Sequence, residues 1–254
     1  MSDRSSEADA ECVHLDCNDG CASGPFVELE VLDDHVRLGA INAVPFWLAL
    51  TNSIIVSVTV SASVVLFSTL AGYSFAKLTF RGKDALLVFV VATTAVPTQL
   101  SVVPLFIAMS NLGWAGSIWA VIVPTLVTPF GVFLMTQYLR NTIPFELIEA
   151  ARIDRCSMFG TFLHVGLPAA RPAAAMLALF TFVTTWTNFF WPFIVLPSSN
   201  PTLPVALQSL AAGNFINYSL VLAGVALATI PLLLLFGIAG RQLVSGIMAG
   251  AVKG

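Results

Sequence analysis

From Pro45 to Gly72 the chain reads PFWLALTNSIIVSVTVSASVVLFSTLAG, without one Asp, Glu, Lys or Arg. Four more stretches share that property: about Ala85 to Met109, Ser117 to Leu139, Pro172 to Leu196 and Ser219 to Gly240. A helix of about 20 apolar residues crosses a hydrocarbon core of roughly 30 Å, so each stretch is long enough to span a bilayer. With 57% hydrophobic and only 10% charged residues, the chain has too few charges for an ordinary soluble domain. The expectation is an all-α fold, a polytopic membrane helical bundle with five transmembrane helices.

The first stretch is rich in Ser, Thr, Ala and Val, as in helices that face other helices. Pro97 and Pro104 in the second and Pro124 and Pro129 in the third free backbone carbonyls and kink a helix, which is tolerable beside neighbouring helices. The cluster TTWTNFFWPF near the end of the fourth reads as an interfacial aromatic belt. Residues 197–218 read as an uncharged loop turning at Pro197, Pro201 and Gly213.

Charge divides the chain in two. Residues 1–40 carry ten acids against Arg4 and Arg37, a balance of −8, while the remainder carries nine bases against Asp84, Glu146, Glu149 and Asp154, a balance of +5. The first part, poor in large apolar side chains, is expected to be a disordered acidic tail, and residues 41–254 the transmembrane domain. The tail lacks the basic start and apolar centre of a signal peptide. Cys12, Cys17 and Cys21 lie close to His14, but not in the paired CxxC spacing of a zinc ribbon, so no metal site is expected. Disulfide pairing applies only if the tail lies outside the cytoplasm, and Cys156 reads as a buried or loop thiol.

Lys77, Arg81, Lys83, Arg140, Arg152, Arg155, Arg171, Arg241 and Lys253 all fall in alternate connections, whereas residues 110–116 and 197–218 carry no Lys or Arg. By the positive-inside rule the C-terminus and the connection around residue 150 are cytoplasmic. Five spans then put the acidic tail outside a cytoplasmic membrane.

Residues 143–168, IPFELIEAARIDRCSMFGTFLHVGLP, form a polar island with three of the four acids that follow Arg37. Pro144 suits a first helical turn, where its missing N–H would be unpaired anyway, and Glu146 and Glu149 face the positive end of the helix dipole. Glu149, Ala150 and Ala151 are strong helix formers, and the two alanines leave a smooth face that another protein can approach. Ile143, Leu147, Ala150 and Ala151 fall near one side of a helix too short to bury that side alone, so the segment wants a partner.

The order Glu149-Ala150-Ala151, three residues, a turn position, nine residues, an aliphatic residue, one more and Leu167-Pro168 resembles the EAA loop of membrane subunits of binding-protein-dependent ABC importers. In that family this loop is the cytoplasmic coupling helix that docks into a cleft of the ATPase. The resemblance implies coupling roles for Pro144, Glu146, Glu149, Ala150, Ala151, Asp154, Arg155, Gly160, Leu167 and Pro168. Arg155 stands where the family usually has glycine; if the backbone there takes positive φ, arginine costs on the order of 1 kcal/mol. Either the turn is built differently, with Gly160 as an alternative bend, or this copy couples poorly.

Further segments resemble the smaller permease of carbohydrate ABC importers of the maltose-transporter type, with the type I permease fold. They are Asn52-Ser53, AGYSFAKLTFRGKD at 71–84, Trp186 with Phe189, Trp191 and Pro192, Thr202-Leu203-Pro204 and the terminal GAVKG. The likeness covers roughly residues 42–254. Where the family has Trp-Asn-acid-Phe, this chain has Trp186-Thr187-Asn188-Phe189. Family members of this subtype usually have six spans, and the span expected before Pro45 is missing. A truncated start and a natural five-span form both stay open.

No GxxxxGK[ST], HExxH or GxSxG arrangement is present, so neither a nucleotide site nor a hydrolytic centre, and no enzyme activity, is expected. His164 reads as a helix-surface or interfacial residue. The five stretches hold none of the intramembrane charges that ion-coupled carriers keep for work, which argues for a neutral solute. Asn52, Gln99, Thr185, Thr187 and Asn188 are hydrogen-bonding candidates along a translocation pathway, and Trp186, Phe189, Phe190 and Trp191 are candidate stacking faces. The resemblance implies a permease that imports a sugar with two identical ABC ATPase subunits, a second homologous permease and an extracytoplasmic solute-binding protein. ATP would be hydrolysed by the partners, with no cofactor in this chain and no nucleic acid partner. Two other readings stand: a passive channel or structural membrane subunit, and a truncated, nonfunctional permease.

Overall fold

The computed structural model describes residues 45–153, 155–212 and 218–251, and every regular element among them is helical. Helix α1 spans Phe46–Lys77, starting where Pro45 accepts the Ala49 N–H and stopping where Leu78 turns extended. It is followed by α2 (Lys83–Thr93), a 3₁₀ turn (Thr98–Ser101) and α3 (Val102–Asn111). The next span joins α4 (Trp119–Ile122), a 3₁₀ turn (Val123–Thr125) and α5 (Pro129–Thr142). A short helix, α6 (Phe145–Ile153), leads to α7 (Met158–Thr161), a π turn (Phe162–Gly166) and α8 (Leu167–Trp186). Helices α9 (Phe190–Val195), α10 (Leu203–Ala211) and α11 (Tyr218–Ala251) complete the described chain.

Helix α1 is the central element and packs on α5 and α8. Ala49, Ser53, Ser57, Val60, Val64, Ser68 and Gly72 recur every three or four residues and form one buried stripe. The small side chains let the backbones close up, as in helices packed within a membrane. A Cβ placed on Gly72 would stand 2.6 Å from the Met135 Cβ, so only glycine fits this crossing. Beside it, Val56, Val60 and Val64 pack with Ala120, Met135, Leu177 and Trp191 in the main apolar cluster. A second cluster, at the Lys77 end of α1, joins Tyr73, Leu139, Ile143, Ile148 and Phe162.

Among the described residues three helices are long and apolar enough to cross a membrane: Phe46–Lys77, Trp119–Thr142 and Met158–Trp186. The expected second span, Ala85 to Met109, is instead a pair of helices meeting at 90°. The break falls just before Pro97, whereas Pro104 is accommodated in the first turns of α3. Proline removes a backbone donor and its ring meets the preceding turn, so a helix of ordinary strength ends there. Counting that bent pair makes four spans, and α11 contributes a shorter apolar stretch, Val221–Gly237.

The fourth span differs more. It was expected from Pro172 to Leu196, but the helix begins at Met158, runs through Pro168, Arg171 and Pro172, and stops at Trp186. The wider π turn, Phe162–Gly166, falls just ahead of Pro168, whose missing N–H leaves a carbonyl of the preceding turn without its helical partner. Arg171 therefore lies within the long helix, on an exposed position, rather than in a connection. Residues 197–212 are likewise more than a loop, since α10 lies within them. The acidic tail with its cysteines, the turn at Gly213 and the last three residues lie outside the described residues.

Candidate functional site

Two regions flank the bundle at opposite ends of α1. At the Lys77 end, α6 follows α5 after a sharp turn at Ile143, whose backbone is extended. Pro144 is exposed immediately before the helix, and Glu146 falls in its first turn. Ile143 and Ile148 are buried against Tyr73, Leu139 and Phe162, which fixes the inner side of α6. The outer side presents Phe145, Leu147 and Ile153 at 51%, 49% and 81% exposure. Glu146, Glu149 and Ala150 are exposed among them, while Ala151 is half-buried. The expected apolar side is thus split: Ile143 turns inward, Leu147 and Ala150 outward.

The turn after α6 has the geometry that the glycine pattern implies. Arg155 takes φ 59°, the one positive φ among the described non-glycine residues. The Cys156 N–H reaches the Ala151 carbonyl at 2.9 Å, the six-to-one bond of a Schellman-type helix end. Gly160 does not supply the bend: it lies in α7, where its N–H meets the Ser157 side-chain cap at 3.0 Å. Cys156 is a free, exposed thiol, and His164 is exposed, its ring nitrogen 2.9 Å from the Gly160 carbonyl. Leu167 and Pro168 are exposed at the start of α8, and Asp154 lies outside the described residues.

Beyond its charge and its place in AGYSFAKLTFRGKD, Lys77 forms a junction through its side chain. It is 3% exposed, and its ammonium donates to the Ile143 carbonyl and, at 3.4 Å, to the Arg140 carbonyl. The same group stands 4.6 Å from the centroid of the Phe145 ring. A cation at the carbonyl end of α5 complements the helix dipole, and an aromatic face attracts it further. Its position as the last residue of an apolar helix, just ahead of Arg81 and Lys83, was the available signal.

At the other end of α1 a cavity of about 340 Å³ opens between α1, α4, α5 and α8. Ser53, Ser57, Thr125, Thr181 and Asn188 contribute polar groups to its wall, and Phe130 and Phe180, 5.2 Å apart between ring centroids, an aromatic one. Among the described residues no ionisable side chain lines it. The buried hydroxyls of Ser57 and Thr202, both on this wall, have no hydrogen-bond partner among the described residues. A second cavity, of about 350 Å³, is lined by Gln99 and shares Thr98, Thr125 and Asn188 with the first.

Of the residues expected along a pathway, Asn188 and Thr185 therefore line the first cavity, and Asn188 and Gln99 the second, together with Phe190 and Trp191 of the candidate stacking faces. Asn52 does not: it is buried, and its amide donates to Asn200 Oδ1 at 2.7 Å and to the Pro201 carbonyl at 3.0 Å, tying down the connection before α10. Ser53 continues this tie by accepting the Leu203 N–H at 2.7 Å. Trp186 is buried with Phe46, Ala49 and Leu203 and stacks on Phe182, so it is core. Trp191 donates its indole N–H to the Ala120 carbonyl at 2.9 Å. These two tryptophans form no interfacial belt; of the aromatic residues in that cluster only Phe190 and Phe193 are well exposed. Thr187 is exposed and returns its hydroxyl to the Val183 carbonyl, while Phe189 stacks on Phe193.

The profile of the family described as binding-protein-dependent transport system inner membrane component matches residues 65–248. The arabinooligosaccharides transport system permease protein of Halalkalibacterium halodurans is 34% identical over 210 residues, 82% of this chain and 75% of its own length. The lactose transport system permease protein of Rhizobium radiobacter is 32% identical over 209 residues, 82% of this chain and 74% of that one. Among solved structures, a chain of a bacterial ABC transporter that imports the acidic polysaccharide alginate superposes with a TM-score of 0.69 at 21% identity, covering 84% of this chain and 77% of its own. With a matching profile over most of its length and a helical bundle of the same fold, this chain belongs to the family of inner membrane components of binding-protein-dependent transport systems.

Proposed function

We propose that the chain is one permease of an ATP-driven importer of a neutral sugar or oligosaccharide, and that α6 is its docking element for an ABC ATPase. The observation that carries the docking role is the outer face of α6, where Phe145, Leu147 and Ile153 stand exposed beside Glu146 and Glu149 while Ile148 anchors the helix from behind. A short helix held on one side and apolar on the other is suited to entering a groove. The uncharged, hydroxyl-bearing cavity supports a neutral solute, and the named activities of the relatives support a saccharide.

In this reading two identical ATPase subunits, a second homologous permease and an extracytoplasmic solute-binding protein complete the transporter. The α6 end faces the cytoplasm together with the C-terminus, since Lys77, Lys83 and Arg140 cluster there and the connection at 197–212 carries no base. Closure of the ATPases would tilt the helices between two states, with the solute favouring one of them. Five spans follow if the bent pair and α11 each cross once.

The test is a mild-detergent pull-down of the tagged chain, partners identified by mass spectrometry, with Glu149→Lys in parallel. Wild type is expected to bring an ABC ATPase and a second permease, and Glu149→Lys to lose most of the ATPase while keeping the permease. An ATPase retained in full by Glu149→Lys removes the docking role of α6; no ATPase with wild type removes the importer reading and favours a passive membrane subunit.

A further inference from the structure

We propose that Lys77 is the clamp through which movement of α6 is passed to α1, a positioning role that rests on the importer reading. A single ammonium group holds three successive parts of the chain: the last turn of α5 at Arg140, the corner at Ile143 and the first residue of α6, Phe145. Ammonium has three donors and no acceptor, so carbonyls and a ring face are partners it can use fully. Burying a cation is costly unless it is paired, and among the described residues no carboxylate lies within 4 Å of it. Apart from these contacts the lysine would be better replaced by an apolar residue.

The clamp sits at one end of a rod. Helix α1 runs 32 residues without a proline, about 48 Å at the usual rise per residue. Near its far end Asn52 and Ser53 hold Asn200, Pro201 and Leu203, and between the two ends Ser53, Ser57 and Val60 form part of the cavity wall. A displacement of α6 held by Lys77 therefore reaches the cavity wall and the opposite connection through one rigid element. Released from Lys77, α6 still packs through Ile148, but its entry corner is no longer fastened to α1.

Two variants of the full chain test this: Lys77→Met, which keeps length and apolar bulk without donors, and Lys77→Arg, which restores donors and an aromatic contact. Amide exchange of residues 145–153 is followed on the chain in detergent, and ATP hydrolysis and uptake of radiolabelled lactose and arabinotriose on the reconstituted transporter with its binding protein. In Lys77→Met, exchange across α6 is expected to quicken by roughly tenfold, the scale of losing a charged hydrogen bond. ATPase recovery and hydrolysis stay near wild type, while sugar carried per ATP falls by roughly tenfold; Lys77→Arg recovers both readouts. Unchanged exchange and unchanged sugar per ATP in Lys77→Met overturn the clamp. Equal loss of assembly and transport in both variants also overturns it, assigning Lys77 to folding alone. Failure of the importer reading shows separately, as a wild-type chain that brings down no ATPase.

Discussion

The amide of Cys156 donates to the carbonyl of Ala151 across 2.9 Å, and Arg155, one residue before the donor, stands at φ 59°. This closes α6 with a left-handed residue, a position where glycine is free of the clash that a Cβ makes with the backbone. Arginine holds the turn at a cost. Arg155→Gly is expected to raise stability by about 1 kcal/mol, and Arg155→Val to lower it, because a branched Cβ is worst in this region. Thermal unfolding of the purified chain in detergent orders the three proteins; a glycine variant less stable than wild type would show that the arginine side chain makes a compensating contact.

At Gly72, α1 and α5 approach closely. A Cβ there would meet the Met135 Cβ at 2.6 Å and two backbone atoms of α5 at 2.9 Å, neither of which can swing aside. Gly72→Ala should destabilise by about 1–3 kcal/mol, the range for overpacking a tight core. Gly237 in α11 is the control, since nothing among the described residues lies within 4 Å of its added Cβ. Gly237→Ala should be neutral or gain up to about 1 kcal/mol from helix propensity. Unfolding midpoints of the two variants, measured side by side, check the contrast.

The sequence reading succeeded where one local rule governed the outcome. Pro144 and the acids after it mark the start of α6, and the spacing to Arg155 marks its turn, because caps and turns are set by a few neighbouring residues. The run from Pro45 was legible as a helix for the same reason, with no charge or proline to interrupt it. Prolines were harder. Pro97 breaks a helix whereas Pro168 and Pro172 sit inside one, and the difference lies in whether a π turn and packed neighbours can absorb the missing donors. Polar residues in apolar helices were harder still. Asn52 and Asn188 look alike in sequence, but one is consumed by Asn200 and Pro201 and the other lines a cavity, a distinction made by residues almost 150 positions away. Lys77 was legible by its charge and its place in AGYSFAKLTFRGKD but not by its contacts, because no sequence pattern displays two carbonyls and a ring face brought together.

Asn52 donates to two oxygens, so its replacements separate loss of a bond from introduction of repulsion. Asn52→Ala leaves the buried Pro201 carbonyl without this donor, at about 1–3 kcal/mol. Asn52→Asp places a carboxylate against Asn200 Oδ1 and the Pro201 carbonyl and should cost more than the alanine variant at neutral pH. Amide exchange of residues 203–206, at the start of α10, is expected to quicken in the order wild type, alanine, aspartate. Equal exchange in all three would mean that Ser53 and the apolar cluster around Leu203 hold the connection without Asn52.

Ser57 and Thr202 present buried hydroxyls that nothing in the described protein satisfies, both on the wall of the cavity between α1 and α8. An unpaired buried hydroxyl detracts from stability, so removing it should be neutral or mildly stabilising. A solute hydroxyl passing through the cavity would supply the missing partner, and each such bond is worth about 0.5–1.5 kcal/mol. Ser57→Ala and Thr202→Val are therefore expected to keep or raise the unfolding midpoint while slowing sugar uptake by about two- to tenfold, with ATPase binding untouched. Stability and transport moving in opposite directions is the signature, because a general packing defect lowers both. If uptake is unchanged in both variants and in the double variant, the solute crosses elsewhere, and the second cavity at Gln99 and Asn188 becomes the place to probe, with Gln99→Leu as the corresponding substitution.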